Sequence, residues 1–149
     1  MNIINIFKFL TIQTLILYTI MIFNKDSVPV YIRNAIINMI LTTSICGTIL
    51  FYMNSEKYIE RTKLSKGILI IIDIIAHTIP LIYCLYTIKD YYKQPMELNT
   101  IYIQYIYLIL YLVFTDIKRL YFGISYIQLL GIPLIINNCI SIFIKSFIK

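Results

Sequence analysis

Histidine occurs once in this chain, cysteine three times and glycine four times, and each scarcity removes a class of chemistry. A single imidazole cannot build a zinc centre without partner ligands at recognisable spacing, and none are present, so no metal is expected. Four glycines leave no Gly-rich phosphate loop and no G-x-S-x-G elbow, which argues against nucleotide chemistry, and no cofactor is expected. Cys46, Cys84 and Cys139 are odd in number, far apart and without C-x-x-C spacing; they read as buried spectators. Charge is also sparse, at 13% of residues. The net charge of +6 comes from 13 Lys and Arg scattered over loops and segment ends, not gathered into the basic stripe that nucleic acid requires. Hydrophilic connections reach only about a dozen residues, too short for a soluble domain.

What the chain has in abundance is apolar length. It is 60% hydrophobic with a mean hydropathy of +0.82, far from the soluble balance. Spanning about 30 Å of hydrocarbon takes roughly 20 helical residues, and five stretches qualify, approximately 3–23, 34–54, 67–88, 100–117 and 124–145. The fold class expected is all-α: a polytopic, multi-pass integral membrane helix bundle forming one domain over residues 1–149. The fifth stretch carries Gly131, Pro133 and the pair Asn137-Asn138, so a kinked or re-entrant segment, and hence four spans, is the alternative. Roughly a quarter of the residues are isoleucine, a bias that AT-rich coding produces as readily as selection for structure. The stretches lack strand alternation, and in lipid a continuous apolar segment satisfies its own backbone as a helix.

Basic residues are densest in the Glu56 to Lys66 connection, with Lys57, Arg61, Lys63 and Lys66, where they suit anionic headgroups. With Lys8 assigned to the N-terminal side, seven of the 13 fall on one face and six on the other, a weak orientation signal. The N-terminus has neither a basic n-region nor a small-residue cleavage site before Asn24, so the first span is expected to be retained.

Within this apolar background, Asp73 and His77 stand one helical turn apart inside 67–88. Ionisable groups in a membrane span are costly and mark working sites. Thr11 lies at about 12 Å from the start of the first stretch and His77 at about 15 Å from the start of the third, at 1.5 Å per residue. Odd-numbered spans run in one direction, so hydroxyl and imidazole reach a similar level. Asp73, at i−4, shares the face of His77 and can orient it. Hydroxyl, base and carboxylate form a hydrolytic set, provided the Thr11 hydroxyl lies within about 8 Å of the ring, the limit from which hydrogen-bond reach can be recovered. The competing reading is structural. Thr11, like Thr14, Thr19, Thr42, Thr43 and Thr48, can bond its own backbone or join helices, and the Asp73/His77 pair can be an interhelical hydrogen bond. Pro80, one turn on, kinks the helix or frees a carbonyl.

Several segments also bear a family likeness. Lys8-Phe9-Leu10-Thr11 with the apolar run to Phe23, Gly47-Thr48-Ile49-Leu50-Phe51-Tyr52 continuing to Glu56 and Tyr58, His77-Thr78 with Pro80, and Tyr91-Tyr92-Lys93-Gln94-Pro95 together resemble, in order, the androgen-induced-gene family. The resemblance implies a multi-pass membrane hydrolase of fatty acid esters of hydroxy fatty acids, with Thr11 as nucleophile and His77 as general base. The family normally has six spans, and this chain would lack the first. Its proline stands farther from the histidine, and an additional histidine one turn earlier falls at Asp73 or Ile74. By the resemblance the N-terminus faces the lumen or exterior, opposite to the one-charge bias.

The expected partners are membrane lipids or a lipid-ester substrate, with no nucleic acid, and a homo- or hetero-oligomer in the membrane is compatible. Oxyanion donors could come from Gln13, Gln104, Gln128, Asn137 or the tyrosines; Tyr102, Tyr105, Tyr107 and Tyr111 suit interface anchoring and helix packing. Two rival functions remain: a non-catalytic scaffold or subunit, and a small transporter or proton-linked channel using Asp73 and His77 as a relay.

Overall fold

Seven α-helices and one π-helical turn are seen in the computed structural model, which describes residues 10–91, 98–114 and 126–147. In chain order they are α1 (Leu10–Phe23), α2 (Val30–Met53), α3 (Ser55–Thr62), α4 (Lys66–Asp73), the π turn (Ile74–Thr78), α5 (Ile79–Tyr91), α6 (Leu98–Phe114) and α7 (Tyr126–Phe147). No strand occurs among the described residues. Lys8, Phe9, residues 92–95 and the outer ends of the first, fourth and fifth expected spans lie outside the described residues.

Among the described residues, two helices are long and apolar enough to cross a membrane, Val30–Met53 and the continuous Lys66–Asp90. Leu10–Phe23, Asn99–Phe114 and Gly131–Ile144 are apolar and shorter. Each of the five expected stretches is therefore helical where described, and two of them meet the length criterion. The second begins at Val30, four residues before the expected boundary, directly after Pro29. Asn34, one turn into this helix, is fully buried. The third starts after Ser65, whose hydroxyl accepts the Ile68 N–H, a serine N-cap. The charged connection from Glu56 is helical over most of its length. Glu56 in its first turn suits the helix dipole, and Lys63, with φ 56°, ends it.

Helix α2 is the spine, packed against α1, α5, α6, α7 and the π turn. Its apolar stretch is 67% buried, against 22% for Lys66–Asp90, which lies at the periphery. The core gathers Tyr18, Met21, Ile37, Ile40, Leu41, Cys84, Ile88 and Ile144. Outward faces are apolar too: Ile71, Ile75, Ile82, Tyr86, Val113 and Ile135 are exposed.

Hydrogen bonds between side chains set the helix directions. Thr11 meets His77 and Tyr18 meets Thr87, so α1 runs parallel to the α4–α5 helix, as the depth argument assumed. Thr14 lies 3.0 Å from Thr43, while Gly47 packs on His77 beside Thr11; α1 and α2 are antiparallel. Thr42 donates to Asn137 on α7, Tyr107 on α6 donates to Gln13 on α1, and Thr100 on α6 donates to the Tyr31 carbonyl. In an apolar medium such bonds contribute about 0.6 kcal/mol on average and up to about 1.7. Tyr18→Phe should therefore lower unfolding stability by about 0.6–1.7 kcal/mol without loss of fold, measured by reversible denaturation in bicelles, because Thr87 keeps its bond to the Tyr83 carbonyl.

Candidate active site

The site is built where α1 begins, where α2 carries a glycine and where the long peripheral helix widens. Pro80 has no N–H to give the Ala76 carbonyl, and its ring crowds the preceding turn. The helix opens there into the π turn, in which the Ile79 N–H bonds to the Ile74 carbonyl, five residues back. Such single π turns recur at functional sites because they redirect a side chain without ending the helix. Here the redirected residue is His77. The expected effect of Pro80 is thus realised as a widened turn.

Asp73 is buried at 4% exposure, and its Oδ1 lies 2.7 Å from His77 Nδ1. An ionised carboxylate only accepts, so Asp73 fixes the tautomer with the proton on Nδ1 and leaves the Nε2 lone pair free. That nitrogen lies 3.2 Å from Thr11 Oγ1, which donates to it. The 8 Å condition is met with room to spare. Thr14 holds the same turn of α1 in place, donating to the Thr11 carbonyl.

Gly47 completes the arrangement. A Cβ at this position would overlap the imidazole, with the Nε2 and Cδ2 edge nearest. The ring is held at both nitrogens, so it cannot move aside without losing a bond. Sequence reasoning quoted Gly47 as part of a similar segment and gave it no role; the available signal was a glycine in the interior of an apolar helix, which usually marks close approach.

A cavity opens from this point into the bundle. Thr11, Thr14, Gly47, Leu50, Tyr105 and Gln104 are on its wall, and it continues past Met39 to Pro133 and Asn137 on α7. On the measure by which one water needs about 10–15 Å³, it holds about 90 Å³. Its surface is overwhelmingly apolar. The nucleophile candidate thus faces the cavity while His77 stands behind it.

The oxyanion candidates are dispersed. Gln13 accepts the Tyr107 hydroxyl at 2.7 Å and Asn137 accepts from Thr42 at 3.2 Å. Gln104 is on the cavity wall, and the Gln128 side chain lies outside the described residues. Of the tyrosines, Tyr111 is buried, Tyr107 is bonded and Tyr102 is exposed, a mixture of packing and outward roles. Cys46 is on the cavity wall, Cys84 is in the core and Cys139 is exposed, all as free thiols. No cluster of three His, Cys, Asp or Glu occurs among the described residues. Comparison with protein-family models, curated proteins and solved structures gives no match.

Because His77 is the only histidine, its two ring nitrogens give unambiguous ¹⁵N signals. The intact protein should show a protonated Nδ1 and a bare Nε2. Gly47→Ala should shift both signals and weaken stability by about 1–3 kcal/mol through overpacking, whereas unchanged signals would mean that the ring does not sit against Gly47.

Proposed function

We propose that this chain is a multi-pass integral membrane protein, with five spans, that hydrolyses lipid esters by nucleophilic attack of Thr11. His77 acts as general base and Asp73 as its positioning residue. The observation that carries the reading is the continuous chain from the Asp73 carboxylate through His77 to the Thr11 hydroxyl, ending on the wall of an apolar cavity. Likeness of the segments around Thr11, Gly47 and His77 to the androgen-induced-gene family supports the same assignment and suggests fatty acid esters as the substrate class. The membrane setting is supported by the two long apolar helices and by the isoleucine-rich outer faces.

In this mechanism an ester moves laterally from the lipid into the cavity and presents its carbonyl to Thr11. Nε2 of His77 takes the hydroxyl proton as Oγ1 attacks, and the resulting imidazolium is stabilised by Asp73. The tetrahedral adduct collapses as the ester C–O bond breaks, and His77 returns the proton to the departing alcohol. The same nitrogen then deprotonates a water that attacks the acyl-threonine, and as the acyl C–O bond to Oγ1 breaks His77 returns the proton to Thr11 and the fatty acid is released.

Covalent labelling with a lipid-like fluorophosphonate tests the reading. Thr11→Ala should abolish labelling, and His77→Ala should slow it by about 10²–10⁴-fold, the usual share of a general base. Asp73→Asn should slow it as well while leaving the protein folded, since the amide can still meet the ring but favours the wrong tautomer. Labelling indifferent to the Thr11 and His77 replacements would leave a scaffold or subunit as the function.

A further inference from the structure

Gln104 is 6% exposed, and neither its amide nitrogen nor its amide oxygen has a hydrogen-bond partner among the described residues. Buried amides are rarely left so, since desolvation without a partner is costly. Gln104 is also on the wall of the cavity that reaches Thr11, so a ligand in that space can supply what the protein does not.

Its position along the bundle follows from bonds already described. On α6, Thr100 lies beside Tyr31 near the start of α2, and Tyr107 reaches Gln13, the neighbour of Thr14, which meets Thr43. Helix α6 therefore runs in the direction of α2, and Gln104 falls between those two levels, where Met39 is on the same wall. Thr11 lies at the level of Gly47. Eight residues of α2 separate the two levels, about 12 Å at 1.5 Å per residue. That is too far for Gln104 to touch the reacting carbonyl. An extended chain advances about 1.2 Å per bond, so roughly ten bonds connect the ester carbonyl at Thr11 with a group at Gln104.

We propose that Gln104 is a specificity-determining residue that binds a hydroxyl carried on the hydrocarbon arm of the ester, about ten bonds from the scissile carbonyl. This rests on the ester-hydrolase reading. A hydroxyl both donates and accepts, and so satisfies Oε1 and Nε2 together. A carboxylate would leave Oε1 facing an anion, and no Lys or Arg is on the described cavity wall. A plain alkyl arm would leave both amide atoms unpaired, and sites with unpaired polar groups reject such analogues strongly.

The test uses the full chain in nanodiscs. The intact protein should hydrolyse p-nitrophenyl 10-hydroxydecanoate with kcat/KM at least about tenfold above that for p-nitrophenyl decanoate, and Gln104→Leu and Gln104→Met should erase or reverse the preference. A second arm needs no turnover: in Thr11→Val, methyl 10-hydroxydecanoate should displace a fluorescent fatty acid better than methyl decanoate, and the added Gln104→Leu should remove that difference. If neither ester is cleaved while the binding preference holds and depends on Gln104, the hydrolase reading fails and the hydroxyl site stands. Equal binding of the two methyl esters, or a preference that survives both Gln104 replacements, overturns the proposal.

Discussion

The hydrogen bond between Asp73 and His77 is the constraint on which the site depends. A buried carboxylate needs a partner, because an unpaired charge away from water is among the most expensive groups a fold can carry. Placing the partner one turn later on the same helix makes the pairing local, so it does not wait on correct packing of the bundle. Once Nδ1 is committed to Asp73, the only free nitrogen of the ring points away from its own helix. Every neighbouring element must then accommodate that direction.

The accommodation is visible in three irregularities that converge. Pro80 widens the helix into a π turn around His77, α2 gives up a side chain at Gly47, and α1 brings a hydroxyl rather than an apolar side chain to the remaining nitrogen. Each costs something in isolation: a lost backbone bond at proline, a missing packing group at glycine, a polar atom in an apolar bundle. Together they place a donor, an acceptor and an open volume at one point. That mutual dependence explains why α1, with its face of Thr11, Thr14 and Tyr18, is held by hydrogen bonds to α2, α5 and α6 as well.

Much of this could be read from the sequence, and what could not has a physical reason. Hydropathy located the helical stretches because apolar length is a one-dimensional property, and Asp73 and His77 stood out because nothing else ionisable lies deep in their stretch. Depth counting made Thr11 one of several threonines that could meet His77, since a rise of 1.5 Å per residue survives any arrangement of the helices, and the family likeness singled it out. Hydropathy started the second stretch at 34, whereas its helix begins at Val30. The π turn, the role of Gly47 and the isolation of Gln104 were not legible, because each depends on which helices become neighbours. Adjacency is not encoded in the apolar pattern, whose lipid-facing and protein-facing sides are equally greasy.

The threonines differ in where their hydroxyls bond. Thr19, Thr43, Thr62 and Thr87 each donate to the carbonyl four residues earlier, the usual way a helix quiets a hydroxyl in apolar surroundings. Thr14 donates three residues back, to Thr11 itself. Thr11 instead meets a side chain 66 positions away, and that side chain is oriented in turn by a carboxylate. Thr42 and Thr100 also bond away from their own helices, to Asn137 and to the Tyr31 carbonyl, but neither of these hydroxyls meets an oriented imidazole. One held by an oriented imidazole at the edge of an open apolar cavity has the three attributes a nucleophile requires: a base in line, a fixed tautomer behind it and space in front.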